Sequence, residues 1–196
     1  MNEMEPKNYN FSNVKFFSPM QLSEHYMLYT RYIDCLNKVL KDLNSDIIYS
    51  VCNPNYSEIR SAEKSKTFCF DAIKLHELYF ENLTGNNTKP HGPIEMLLNE
   101  IFGSFDNFIE KFKCIALSMR GWALFCYDRF HDEYYIYGQD SHDDGVMLYA
   151  EPLIVLDVYE HAYMIDYGIN RSNYIDAFMA NLDYGVINKR LSSLNF

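Results

Sequence analysis

Asp157 and His161 stand four residues apart in Pro152-Leu-Ile-Val-Leu-Asp157-Val-Tyr-Glu-His161-Ala-Tyr163, where an apolar strand-like run ends on a carboxylate and an imidazole follows one helical turn later. Two more histidines, His25 and His76, fall on the apolar faces of two upstream helix patterns. A carboxylate and imidazoles converging from separate elements make a mixed oxygen and nitrogen donor set. Such a set suits a redox ion of intermediate hardness, iron or manganese. On residue chemistry alone, the chain reads as a redox metalloenzyme.

Four donors meet only if the elements carrying them are placed correctly. After Ser18-Pro19, the residues Leu22, His25, Tyr26, Tyr29, Tyr32, Ile33, Leu36 and Leu40 recur at helical spacing, so one stripe carries His25 among apolar neighbours. A second helical pattern holds Ile73, His76, Tyr79, Phe80 and Leu83. The two are expected to pack as an antiparallel hairpin, joined by a poorly patterned connection through Cys52-Asn-Pro-Asn. Gly85 to Pro93 is dense in turn residues. We therefore divide the chain into an N-terminal helical hairpin domain, 1–89, and a C-terminal α+β metal-binding domain, 90–196.

Helix is expected from Ile94 to Ile101 and from Phe105 to Leu117. Beyond Gly121, the short aromatic and β-branched runs Trp122–Tyr127, Glu133–Tyr137 and Leu153–Leu156 predict a small antiparallel sheet of about three strands. Helical spacing returns over Tyr159 to Tyr167 and Tyr174 to Leu182, with Gly168 as a stop between them. The expected fold class is α+β.

A chain of 196 residues that is 48% hydrophobic can bury one core, or two small layers sharing one. Its net charge of -10 argues against nucleic acid and against a polybasic membrane surface. No apolar run approaches the length of a membrane span, and Met1 to Pro6 is acidic with no apolar stretch behind it, so a cytoplasmic protein is expected. The five cysteines contain no C-x-x-C pair, which predicts reduced and mostly buried thiols.

Several motifs together resemble the iron/manganese superoxide dismutase family: Phe102-Gly-Ser-Phe105, Gly121-Trp122-Ala123, Asp157-Val-Tyr-Glu-His161-Ala-Tyr163, and Asn170-Arg171-Ser-Asn-Tyr174-Ile175. His76-Glu-Leu-Tyr-Phe-Glu-Asn-Leu83 matches the family's second ligand motif, and His25, seven residues before Tyr32, matches its first. The resemblance implies that His25, His76, Asp157 and His161 bind one iron or manganese ion per chain, and that the reaction is the disproportionation of superoxide. It further implies that His142 hydrogen-bonds the solvent at the metal, Tyr32 gates the channel and relays protons, and Trp122 walls the pocket. Arg171 would focus the field for an anionic substrate, or would serve as a structural cation paired with an acidic neighbour. Glu160 would bridge to a partner subunit, giving a homodimer or tetramer.

The chain departs from the family pattern at Leu28-Tyr29, where a histidine pair is frequent, at Tyr159 in place of a tryptophan, and at Leu124 in place of an aromatic. None of these is a ligand position. The competing expectation is a structural or assembly subunit that keeps the fold without turnover, and its mark would be a missing ligand. His91 and His131 read as surface histidines.

Overall fold

In the computed structural model, which describes residues 3–194, the first half is built from two long helices, α1 (Pro19–Leu43) and α2 (Glu58–Asn82). Ser18 starts α1 by accepting from the Gln21 amide, with proline in the first turn where its missing N–H costs nothing. Ser57 caps α2 in the same way through the Arg60 amide. A single 3-10 turn, Asp46–Tyr49, lies in the connection.

The second half runs α3 (Gly92–Phe102), α4 (Phe105–Ser118), β1 (Trp122–Asp128), β2 (Glu133–Gln139) and β3 (Ala150–Asp157). It closes with a 3-10 turn, Glu160–Ala162, then α5 (Met164–Tyr167), α6 (Arg171–Asn181) and α7 (Tyr184–Ser192). The sheet has the order β2-β1-β3, with both pairings antiparallel. This is the expected α+β fold with a three-stranded sheet.

Every residue of β1 is buried, because the strand is central and covered on both faces. Its register matters to function: Trp122 lies opposite Asp157 on one side and Gln139 on the other. Gly121, just before it, donates to the Gln139 carbonyl (3.1 Å) and accepts from the Val158 amide (2.8 Å). A Cβ at Gly121 would sit 2.9 Å from the Gln139 carbonyl oxygen, so only glycine permits this approach. One apolar core, including Ile33, Leu36, Phe80, Phe112, Phe125 and Phe178, runs through both halves of the chain.

Two expectations need correction, and one helix was not anticipated. Helix α2 begins at Glu58, fifteen residues before Ile73, because its first turns are largely solvated and carry no apolar stripe, yet they continue the helix from the Ser57 cap. The segment 159–167 is not one helix. Tyr163 leaves the helical region (φ -147°), which separates the 3-10 turn from α5. Helix α7 went unread, although Asp183 caps it by accepting from the Gly185 and Val186 amides.

Candidate metal centre

His25 from α1, His76 from α2, Asp157 from the end of β3 and His161 from the following 3-10 turn converge, with one donor atom from each within 4.8 Å of the others. The focus is a single carboxylate oxygen. Asp157 Oδ2 lies 3.1 Å from His25 Nε2, 3.1 Å from His161 Nε2 and 3.5 Å from His76 Nε2. Donor atoms around an ion held at about 2.1 Å stand about 3 to 3.6 Å from their neighbours, so this spacing fits a shared ion.

His76 gives the sharper test of fit. Its Nδ1–H donates to the Ala72 carbonyl at 2.7 Å, which leaves Nε2 of the neutral ring as a bare lone pair. That Nε2 is buried and, among the described residues, has no hydrogen-bond partner. A buried polar atom without a partner costs about 1 to 3 kcal/mol. A cation at the focus of the four side chains removes that cost.

The electrostatics are those of a ligand set. Burial pushes His25 below the usual imidazole range and His76 well below it, so both rings are neutral at pH 7 and free to donate electron pairs. Burial alone would raise Asp157, but the adjacent His161 and His25 imidazoles overcome it and hold the carboxyl well below the usual range. Asp157 is therefore the anion that a cation here would meet.

The surrounding groups set the orientation of each donor. Asp157 Oδ1 accepts from the Tyr159 amide (2.9 Å), and the Asp157 carbonyl accepts from Tyr174 Oη (2.6 Å). Gln21, one turn before His25, is buried and spans the gap to the His161 turn. Its Nε2 donates to the His161 carbonyl (2.7 Å), and its Oε1 accepts from the Ile165 amide (3.1 Å). Gln21 and the Tyr174 hydroxyl were missed as site residues. The available signal for Gln21 was a polar residue spaced i, i+4 from His25 on the buried stripe.

A second chain of contacts meets the same cluster at the His76 ring, which packs against Trp122 and His142. Trp122 Nε1–H donates to His142 Nδ1 at 3.0 Å, and His142 Nε2 lies 3.0 Å from Tyr32 Oη. Trp122 has only a donor, so His142 Nδ1 is the acceptor, and the neutral ring carries its proton on Nε2. Nε2–H therefore donates to Tyr32 Oη, and the tyrosine's own proton is directed elsewhere. Burial lowers His142 to about 4, which keeps it neutral. Burial also raises Tyr32, which stays a phenol. Tyr159, in the position where the family motif has tryptophan, stacks on His161 with centroids 5.1 Å apart and faces His142 at 5.0 Å.

The candidate residues thus assemble, with one exception in kind. Among the described residues, Arg171 does not pair with an acidic neighbour. Its Nε donates to Tyr163 Oη (3.2 Å), its Nη1 donates to the Met119 carbonyl (2.7 Å), and its guanidinium sits over the Tyr163 ring. The thiols also differ from expectation: all five are free, but only Cys69 and Cys126 are buried, while Cys35, Cys52 and Cys114 are exposed. His91 and His131 are exposed, as expected.

Residues 90–190 match the model of a family described as iron/manganese superoxide dismutases, C-terminal domain. Over 195 residues the chain is 34% identical to a protein named superoxide dismutase [Fe] from Aquifex pyrophilus, covering 97% of this chain and 92% of that one. An Aquifex aeolicus protein of the same name is 33% identical over the same shares. A protein named superoxide dismutase [Mn] from Haloarcula marismortui is 36% identical over 56% of this chain and 55% of its own length.

Proposed function

We propose how this centre works from one premise: the chain belongs to the iron/manganese superoxide dismutase family and is an oxidoreductase that disproportionates superoxide. One iron or manganese ion per chain serves it, held by His25 Nε2, His76 Nε2, His161 Nε2 and Asp157 Oδ2. The observation that carries this assignment is the partnerless, buried His76 Nε2 facing the carboxylate that the two other imidazoles also face. Bound there, the ion supplies the one-electron chemistry that oxidises one superoxide to dioxygen and reduces another to peroxide.

The chain's own groups handle binding and protons. Forming peroxide consumes two protons, and Tyr32 Oη–H, freed by the hydrogen bond it accepts from His142 Nε2–H, is a hydroxyl able to deliver one. With both ring nitrogens engaged, His142 acts through Tyr32, whose hydroxyl it orients toward the site, and Trp122 holds His142 in place. Trp122 and Tyr159 exclude bulk water, which strengthens every charge interaction inside. Among the described residues Arg171 has neutral partners, so its charge remains available to offset the net charge of -10 for an anionic substrate.

Residues 1–89 and 90–196 act as two lobes contributing two ligands each. A homodimer through the Glu160 face is supported by a cleft of about 370 Å³ lined by Glu24, Met27, Glu160, His161, Met164 and Ile165. Met27, Met164 and Ile165 are exposed on that face. The free thiols support a reducing, cytoplasmic setting, where the activity would be antioxidant. No helix among the described residues is long and apolar enough to cross a membrane.

The deciding experiment is metal analysis of protein purified without added metal, paired with superoxide turnover of iron-only and manganese-only forms and of His76→Ala. A stoichiometric ion and turnover in the parent, both absent from a folded His76→Ala, are expected. Full metal retention in that variant overturns the ligand assignment.

A further inference from the structure

A cleft of about 470 Å³ opens between α1 and α2, and Tyr32, Cys35, Phe68 and Cys69 line it together with the charged Arg31, Lys64 and Asp143. Cys35 sits one turn beyond Tyr32 on α1, and Cys69 follows Phe68 on α2. The Phe68 ring packs against both Tyr32 (6.0 Å between centroids) and His142 (4.7 Å), so one continuous wall runs from the thiols to the Tyr32–His142 pair. The two thiols come from opposite arms of the hairpin and line this one cleft. Cys35 is exposed and Cys69 is buried. Neither belongs to the metal cluster.

We propose that Cys35 and Cys69 are a peroxide-responsive dithiol that closes to a reversible disulfide across the hairpin, with the enzyme's own product as oxidant. The exposed Cys35 sulfur, as thiolate, attacks one peroxide oxygen. The O–O bond breaks, the departing hydroxide takes up a proton to become water, and Cys35 is left as a sulfenic acid. The Cys69 sulfur, giving up its proton, then attacks the Cys35 sulfur and displaces the hydroxyl as a second water. In sum, two thiols and one hydrogen peroxide give one disulfide and two waters, the sulfurs losing two electrons and the peroxide gaining them. A dithiol reductant reverses the step by exchange.

The order follows from position. Burial pushes the Cys69 thiol up to about 12, so it makes a poor first nucleophile but is well placed to resolve a sulfenic acid beside it. Cys52 and Cys114 are also exposed, and they serve as internal controls for accessibility alone. The proposal takes its oxidant from the dismutase activity and depends on none of the four ligand assignments.

The test uses the metal-loaded protein treated with stoichiometric hydrogen peroxide, quenched with an alkylating agent and mapped by non-reducing peptide mass analysis. Free thiols should fall from five per chain to three, with a Cys35–Cys69 cross-linked peptide as the product, and dithiothreitol should restore all five. Cys35→Ser, a change at an exposed position, should remove the cross-link and leave turnover unchanged. Cys114→Ser should leave the cross-link in place. The proposal is overturned if all five thiols survive, or if Cys35, Cys52 and Cys114 oxidise to the same extent with no cross-link. Metal content is read on the same samples, so a failed ligand assignment is distinguished from a failed thiol pair.

Discussion

The hairpin and the sheet side each bring two donors to the cluster, but they hold them by different means. His25 and His76 are 2% and 0% exposed and lie inside 25-residue helices, so helical register and core packing fix them. His161 sits on a three-residue 3-10 turn with its side chain 27% exposed, and hydrogen bonds from Gln21 restrain the turn. Packing places a side chain by volume, whereas a turn places it by a few directed bonds. The hairpin side should therefore respond to mutation through stability, and the turn side through ligand affinity.

His76→Leu should break the comparison most visibly. Metal binding and turnover should disappear, yet the metal-free chain should be more stable than the metal-free parent by about 1 to 3 kcal/mol, because a buried nitrogen without a partner is replaced by an apolar group. Urea unfolding of metal-stripped samples reads the difference. His161→Leu should lose metal equally with little change in stability. Equal stability changes in the two variants would remove the distinction.

A second effect, intermediate in size, is expected from Gln21→Leu, which leaves all four donors present but releases the 161–165 turn. Metal affinity should fall by about 10-fold, in the usual range for groups that orient ligands, with the hairpin unaffected. Competition with a chelator measures it. An unchanged affinity would show that the turn holds itself.

At His142, pH sharpens the comparison. Burial holds folded His142 at about 4, against 6.5 for an ordinary imidazole. Between those values the unfolded chain binds a proton at this residue and the folded chain does not, so His142 makes stability fall as pH drops from about 6.5 toward 4. In metal-stripped His142→Gln, the pH slope across that window should be shallower by up to about 1.4 kcal/mol per pH unit. Identical slopes in parent and variant would mean that His142 titrates normally. The smallest change expected is in Tyr32→Phe, which keeps the metal and the fold and loses only the hydroxyl that accepts from His142, so turnover should drop by a few-fold.

The sequence displayed the donors better than it displayed what restrains them. Helix α1 and the second half of α2 were legible because His25 and His76 share stripes with Tyr29, Ile33, Ile73 and Phe80, all buried. The first turns of α2 face solvent and carry no such stripe, so nothing in their periodicity marked them as helix. The break at Tyr163 was hidden for another reason: the spacing from Tyr159 to Tyr167 is helical, but the Gln21 amide takes the His161 carbonyl and the Tyr159 amide bonds Asp157 Oδ1. The first is a tertiary bond, and a local pattern has no access to it. That Cys35 and Cys69 share one cleft lay out of reach for the same reason.

The pairing of β1 with β3 carries an irregularity whose consequence concerns chain length. Trp122 to Phe125 pair in step with Asp157 to Ile154, and the register shifts only between Phe125 and Cys126, where Leu153 is passed over. All slack in the sheet thus sits on the far side of that shift, away from Asp157. A residue inserted near Pro152 meets an existing bulge able to absorb it, but one inserted between Ile154 and Asp157 turns the carboxylate to the opposite face of the sheet. Length is therefore tolerated at one end of β3 and forbidden at the other, within a strand of eight residues.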